Sequence, residues 1–177
     1  NPDGSWPESI RYHHAALERF AGYAKVLKNV TGEDWFKTTP LSQMFRFPPD
    51  VQTPGYAYFG GKIGTPPFGD HALGGGEEFG YFAVFLSDIA EIDKPLADRM
   101  YHAWTAAGRP SKKNGPEAIL LESLLSRTDR YVPGEPPKLM STADYPDAGI
   151  YIFRNNFGNR EQSYFAIMSS PKPVAHG

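Results

Sequence analysis

Apolar residues in this chain follow one spacing up to about residue 130 and another after it. In the first part they recur at three- and four-residue steps, the period of a helix with one buried face. Ile10, Leu17, Phe20, Ala24 and Leu27 make one such stripe, and Phe79, Phe82, Ala83, Phe85, Leu86 and Ile89 a second. Leu96, Met100, Ala103, Trp104 and Ala107 make a third, and Ile119, Leu120, Leu121, Leu124 and Leu125 a fourth. In the second part the runs Ile150-Tyr151-Ile152-Phe153-Arg154 and Ser163-Tyr164-Phe165-Ala166-Ile167-Met168 are dense in β-branched and aromatic residues. They flank the turn residues Asn155-Asn156-Phe157-Gly158-Asn159, so they read as a hairpin. A chain that writes its helices first and its strands afterwards is mainly α with segregated α then β. The expected division is a helical portion over 1–130, a linker over 131–145 carrying Pro133, Gly134, Pro136 and Pro137, and the start of a sheet domain over 146–177.

Punctuation refines the helices. Asp3-Gly4 is a turn, and Ser5 with Glu8 three residues on has the form of a capping box. Pro7 suits the first helical turn. The pattern therefore predicts a helix from Ser5 to about Val30, stopped at Thr31-Gly32. A short helix starts at Trp35-Phe36, and another runs from Leu41 to Phe47 and ends at Pro48-Pro49. Residues 48 to 76 read as a long loop, rich in aromatics and glycine and so expected to be functional. Asp93 caps a later helix with Pro95 in its first turn, Gly108 stops it, and Asn114-Gly115-Pro116 starts the last one.

Composition excludes some functions. A net charge of −2 gives no positive field for nucleic acid. It also fits poorly with a densely sulfated partner, which calls for more Lys and Arg. No apolar run is long enough for a membrane span. The absence of Cys removes disulfides and thiolate catalysis. Both ends look cut, so the chain reads as a piece of a longer protein.

The densest chemistry lies in Asp3-Gly4-Ser5-Trp6-Pro7-Glu8-Ser9-Ile10-Arg11-Tyr12-His13-His14. At about 100° per residue, His13 falls in the middle of the apolar face of the first helix and Tyr12 at its edge. A phenol at such an edge most often packs with its hydroxyl in water. His13 and His14 point apart and make a poor metal pair. Trp6, Tyr56 and Tyr58 are candidates to stack on sugar rings, although Trp6 equally suits a hydrophobic staple. Asp70-His71 is a candidate site pair, with a local turn as the equal alternative.

Four ordered motifs give the chain a resemblance. The run Asp3-Gly4, Glu8, Tyr12-His13 resembles the central motif of the heparinase II/III-like polysaccharide lyases and their alginate- and glycosaminoglycan-degrading relatives. Pro67-Phe68-Gly69-Asp70 resembles a segment those proteins carry between toroid helices. Gly149-Ile150-Tyr151-Ile152-Phe153-Arg154 resembles the strand that opens their sandwich, and His176-Gly177 the start of their His-Gly-His-x-Asp signature. The resemblance implies part of an (α/α) toroid followed by the first strands of an antiparallel β-sandwich. It implies an acidic polysaccharide or oligosaccharide as partner, with a cleft for it, and a periplasmic or secreted location. Tyr12 matches the tyrosine that acts as general acid and, in many members, as base; His176 matches the sandwich histidine. Trp6, Glu8, Arg11, His13, Tyr56, Asp70 and His71 stand as substrate-binding candidates. No metal ligand is assigned within this chain: where relatives hold a structural divalent metal, zinc or calcium, its ligands fall outside these residues. The carboxylate-neutralising Asn or His of the family would lie upstream of Asn1, and the remainder of the same polypeptide would be needed for activity.

The chemistry explains why such groups are wanted. β-Elimination removes the C5 proton of a uronate and expels the 4-oxygen, so a site must neutralise the carboxylate and supply an acid and a base. A phenol titrates near ~10 in water and needs nearby cations or hydrogen-bond donors to act as a base. Arg11, His13, His14 and His176 are the candidates. Two other functions remain open: an (α/α)-toroid glycoside hydrolase using paired carboxylates, for which Glu8 and Asp70 are the only nominees, and a non-catalytic glycan-binding protein.

Overall fold

The structure is a computed structural model and describes residues 1–69, 71–110, 131–138, 140–156 and 161–169. The helix expected from Asn114 to Leu125, Asp70, and the terminal His176-Gly177 lie outside the described residues.

Helix α1 (Ile10–Thr31) buries Ile10, His13, His14, Leu17, Ala21 and Ala24 along one face. Its start corrects the expected capping box. Ser9, not Ser5, is the cap, and its hydroxyl oxygen accepts from the Tyr12 backbone N–H at 3.3 Å. Ser5 is held elsewhere: one Asp3 carboxylate oxygen accepts both its N–H (2.9 Å) and its hydroxyl (2.6 Å). Glu8 accepts from the Trp6 indole at 3.1 Å, so Glu8 and Pro7 precede the helix. The other end is as expected, with Gly32 at φ 78° returning its N–H to Lys28. Phe20, placed on the apolar stripe by spacing, is 52 % exposed.

Two short helices follow, α2 (Trp35–Thr38) and α3 (Leu41–Met44). Pro48 and Pro49 do not end a helix. They open α4 (Phe47–Val51), where a missing N–H costs nothing in the first turn. The described residues among 52–76 form the long loop, with one helical turn at Ala57–Phe59 and a bridge between Thr65 and Gly74. A tight turn at Glu77–Tyr81 leads into α5 (Phe82–Ala90). Helix α6 (Lys94–Ala106) begins at Asp93, whose carboxylate accepts from Leu96 N–H at 2.9 Å, with Pro95 in its first turn. Leu17, Phe36, Phe45, Phe79, Phe82, Phe85, Ile89 and Met100 belong to the core these helices share. Outside it, Lys25 and Lys28 bridge α1 to Asp88 on α5 at 3.0 and 3.4 Å.

The sheet has three strands in the order β1 (Thr142–Tyr145), β2 (Ile150–Asn155), β3 (Ser163–Met168), all antiparallel. The expected hairpin is β2–β3, with Ile152 opposite Ala166. Strand β1 lies within the stretch 131–145 expected to be a linker. The inward face carries Ala143, Tyr145, Ile150, Ile152 and Arg154. It packs on Ile10, Phe47, Val51 and Phe68 to form a second core, each such apolar side chain contributing ~2 kcal/mol. The described elements thus amount to a helical region followed by a small antiparallel sheet, joined by a shared core.

Candidate functional site

The opening stretch is built around Gly4. Its φ of 83° suits glycine, and a Cβ there would stand 2.1 Å from the Gln43 carbonyl oxygen. The fit against α3 aims the Gly4 carbonyl at His13 Nε2, 3.2 Å away. His13 Nε2 therefore carries the proton and donates, while its buried Nδ1 has no partner. The ring lies edge-on to Phe47 (5.1 Å between centroids) and to Trp6 (6.4 Å). Burial in this surround pushes the His13 pKa down to about 3.

His14 is buried as well, its Nδ1 2.6 Å from the Tyr81 hydroxyl and its Nε2 without a partner. Burial, followed by the neighbouring His13 and His71, holds its pKa well below the ordinary imidazole value. Burial, followed by Glu78, pushes the Tyr81 phenol well above its ordinary value. Both imidazoles of α1 are neutral near pH 7. Neither ring therefore offers the Tyr12 phenol a positive charge near pH 7.

Tyr12 stands on the first turn of α1, 41 % exposed, at the edge where the helix leaves the core, and Arg11 beside it is exposed. Trp6 and Glu8 are tied to each other just before the helix. The long loop crosses this helix start: a Cβ on Gly69 would stand 3.2 Å from the Ser9 nitrogen. Two residues on, His71 Nε2 lies 3.3 Å from a Glu78 carboxylate oxygen, both side chains largely buried. The loop therefore brings His71 and Glu78 into the same buried polar group as His14 and Tyr81. Tyr56 and Tyr58 sit farther along the loop, where both rings lie edge-on to Phe59 and Tyr58 is almost fully exposed.

A second polar group, at the junction of helices and sheet, escaped the sequence reading. Asp50 on α4 accepts from Arg99 on α6 (2.7 Å) and from the Tyr145 hydroxyl on β1 (2.8 Å). Arg154 on β2 donates to the carbonyl oxygens of Asp50 (2.5 Å) and Gln52 (3.0 Å). The Tyr164 hydroxyl donates to Val51 O at 2.8 Å. Burial raises both the Tyr145 and Tyr164 phenols, with Asp50 adding to the first. The signal for Arg154 was present: it shares strand parity with the buried Ile150 and Ile152.

Among the described residues, no group of three or more His, Asp or Glu side chains is arranged to hold a metal, and no helix is long and apolar enough to cross a membrane. Comparison with protein-family models, with curated proteins and with solved structures finds no match.

Proposed function

We propose that the protein is a polysaccharide lyase that cleaves a uronic-acid-containing acidic polysaccharide by β-elimination, with Tyr12 as general acid and base. The observation that carries this reading is the Asp3-Gly4, Glu8, Tyr12-His13 run. Its tyrosine is the exposed member on the first turn of α1, while the histidine after it is withdrawn into the core. In the reaction the phenolate takes the C5 proton, the C4–O4 bond breaks to leave a C4–C5 double bond, and the phenol returns a proton to the departing oxygen. Neutral His13 and His14 leave Arg11 and His176 as the nominated groups to favour the phenolate. Trp6 and Glu8, tied together beside the helix start, offer a ring face and a carboxylate to a sugar. The toroid-and-sandwich architecture, the secreted or periplasmic location and the acidic glycan partner all belong to this same proposal.

The test is turnover of a panel of uronate polysaccharides by the full-length protein, followed by the ultraviolet absorbance of the unsaturated product. Tyr12→Phe is expected to lower turnover at least ~100-fold. Turnover unchanged in Tyr12→Phe overturns the mechanism. Cleavage without the double bond turns the reading to a hydrolase using Glu8 and Asp70, and binding without cleavage to a glycan-binding protein.

A further inference from the structure

The loop after α4 carries a turn that is tied to the C-terminal end of α6. The Tyr56 carbonyl accepts from the backbone N–H groups of Phe59 (3.0 Å) and Gly61 (2.8 Å), and the Tyr56 N–H donates to Lys62 O at 3.2 Å. Next to it, the Ile63 N–H donates to Ala106 O on α6 at 3.3 Å. Closed and anchored in this way, the turn holds the Tyr58 ring 90 % exposed, edge-on to Phe59 at 5.1 Å. The Lys62 side chain lies along Gly108, where a Cβ would stand 2.9 Å from Nζ. The next residue, Arg109, takes a φ of 52°, a conformation that arginine rarely adopts and that clusters at functional sites. It turns its guanidinium back over Trp104 (5.5 Å) and Tyr101 (5.9 Å) and donates to the Tyr101 hydroxyl at 3.2 Å. The turn and the end of α6 thus set aromatic rings and two cations along one continuous edge.

No ion pair among the described residues includes Lys62 or Arg109. Glu77, the acid of the adjoining turn, folds its carboxylate back over Gly75, 3.1 Å from where a Cβ would stand, and pairs with neither. The carbonyl end of α6 sets only about half a negative charge against the two cations. A lone exposed ring or a lone surface cation is ordinary. Here a strained arginine stacked on two rings stands beside a lysine and a third ring held out by a hydrogen-bonded turn. We propose that this edge binds an acidic polysaccharide, through residues other than those at the start of α1. Tyr58 stacks on a sugar ring, while Lys62 and Arg109 pair with uronate carboxylates. Sugars present C–H faces that suit an aromatic ring, and the guanidinium fork matches a carboxylate. The choice of a uronate polymer rests on the lyase reading; the edge itself does not involve Tyr12.

The test is affinity electrophoresis of the full-length protein through gels containing sodium alginate, sodium hyaluronate, or dextran as an uncharged control. It is run in the Tyr12→Phe background, where the polymer stays intact if the lyase reading holds and nothing changes if it fails. Retardation by at least one uronate polymer, stronger than by dextran, is expected. Tyr58→Ser is expected to raise the half-retarding concentration about fivefold, and Lys62→Gln and Arg109→Asn about threefold each. Asparagine tolerates a positive φ, so Arg109→Asn keeps the backbone. Lys62→Arg keeps the charge and is expected to bind unchanged. The proposal is overturned by no retardation in either uronate gel, by equal retardation in dextran, or by half-retarding concentrations unmoved in Tyr58→Ser and both charge-removing variants. Tighter retardation by single-stranded poly(U) also overturns it and turns the surface to RNA. Turnover by the wild type, with binding indifferent to these variants, removes this proposal and leaves the lyase reading standing. Binding that follows the variants without turnover removes the lyase reading alone.

Discussion

The buried polar groups at the start of α1 and those at the helix–sheet junction solve one problem in two ways. The helix start buries His13 and His14 as neutral rings, among Trp6, Phe47, Phe79 and Tyr81. The junction buries charge and matches it: Asp50 with Arg99, Arg154 with two carbonyls. A neutral group held by burial is lost when protonation becomes cheap, whereas a paired charge is lost when its partner is removed. The two regions should therefore fail under different insults.

The largest expected effect is at the junction. Asp50→Ala strips Arg99 of its carboxylate and Tyr145 of its acceptor, and should cost about 3–5 kcal/mol in urea unfolding. A loss below ~1 kcal/mol would mean that the pairing is not what holds the sheet to α4.

Acid should act on the other region. The folded pKa of His13 is about 3 and that of His14 is also lowered, so the unfolded chain binds more protons at pH values below its own imidazole pKa of ~6.5. Their contribution is complete above that value and is lost as pH falls towards the folded pKa, at ~1.4 kcal/mol per unit for each ring. Between pH 6.5 and 5.5 the two should remove about 2 kcal/mol, and His13→Leu should halve the slope. At the alkaline end the sign reverses. Tyr145, Tyr164 and Tyr81 have raised pKa values, so stability present below ~10 falls as the unfolded phenols ionise. Tyr145→Phe should soften the alkaline limb and leave the acid limb alone; a change in both would show that the regions are not separable.

Smaller effects sharpen the helix start. Gly4→Ala forces a Cβ against Gln43 O and strains a positive φ, which should cost about 2 kcal/mol by thermal unfolding. Ser9→Ala removes the hydroxyl that caps Tyr12 N–H and should cost about 1 kcal/mol. If Ser9→Ala were neutral, the cap would lie elsewhere.

The long-period features of the fold were legible in the sequence. The helices built on Leu17, Phe82 and Met100, the Asp93 cap, the Gly32 stop and the β2–β3 hairpin each follow from a local pattern that packing reinforces. The misplaced features had local rivals. Ser5 and Ser9 are both acceptable caps, and Asp3 decides between them by taking the Ser5 hydroxyl. Pro48-Pro49 stops a helix as readily as it starts one. Strand β1 is short and carries an aspartate, and pairs because β2 offers it an edge. Of the candidate site, the edge position of Tyr12 and the burial of His13 were readable from helical phase. The group of His71, Glu78, His14 and Tyr81 was not, because a loop joins residues distant along the chain.

Asp50 and Val51 also impose an order in time. Their partners arrive along the chain as Arg99, Tyr145, Arg154 and Tyr164, at separations of 49, 95, 104 and 113 residues. A ribosome adding roughly 5–20 residues per second leaves on the order of ten seconds between α4 and the last of them. Through that interval the apolar side chains of Phe47 and Val51, covered by the sheet in the finished fold, remain open to whatever else is nearby. The nascent helical region thus presents its sheet-binding surface before the sheet exists, and chaperones that bind apolar segments have their opening there.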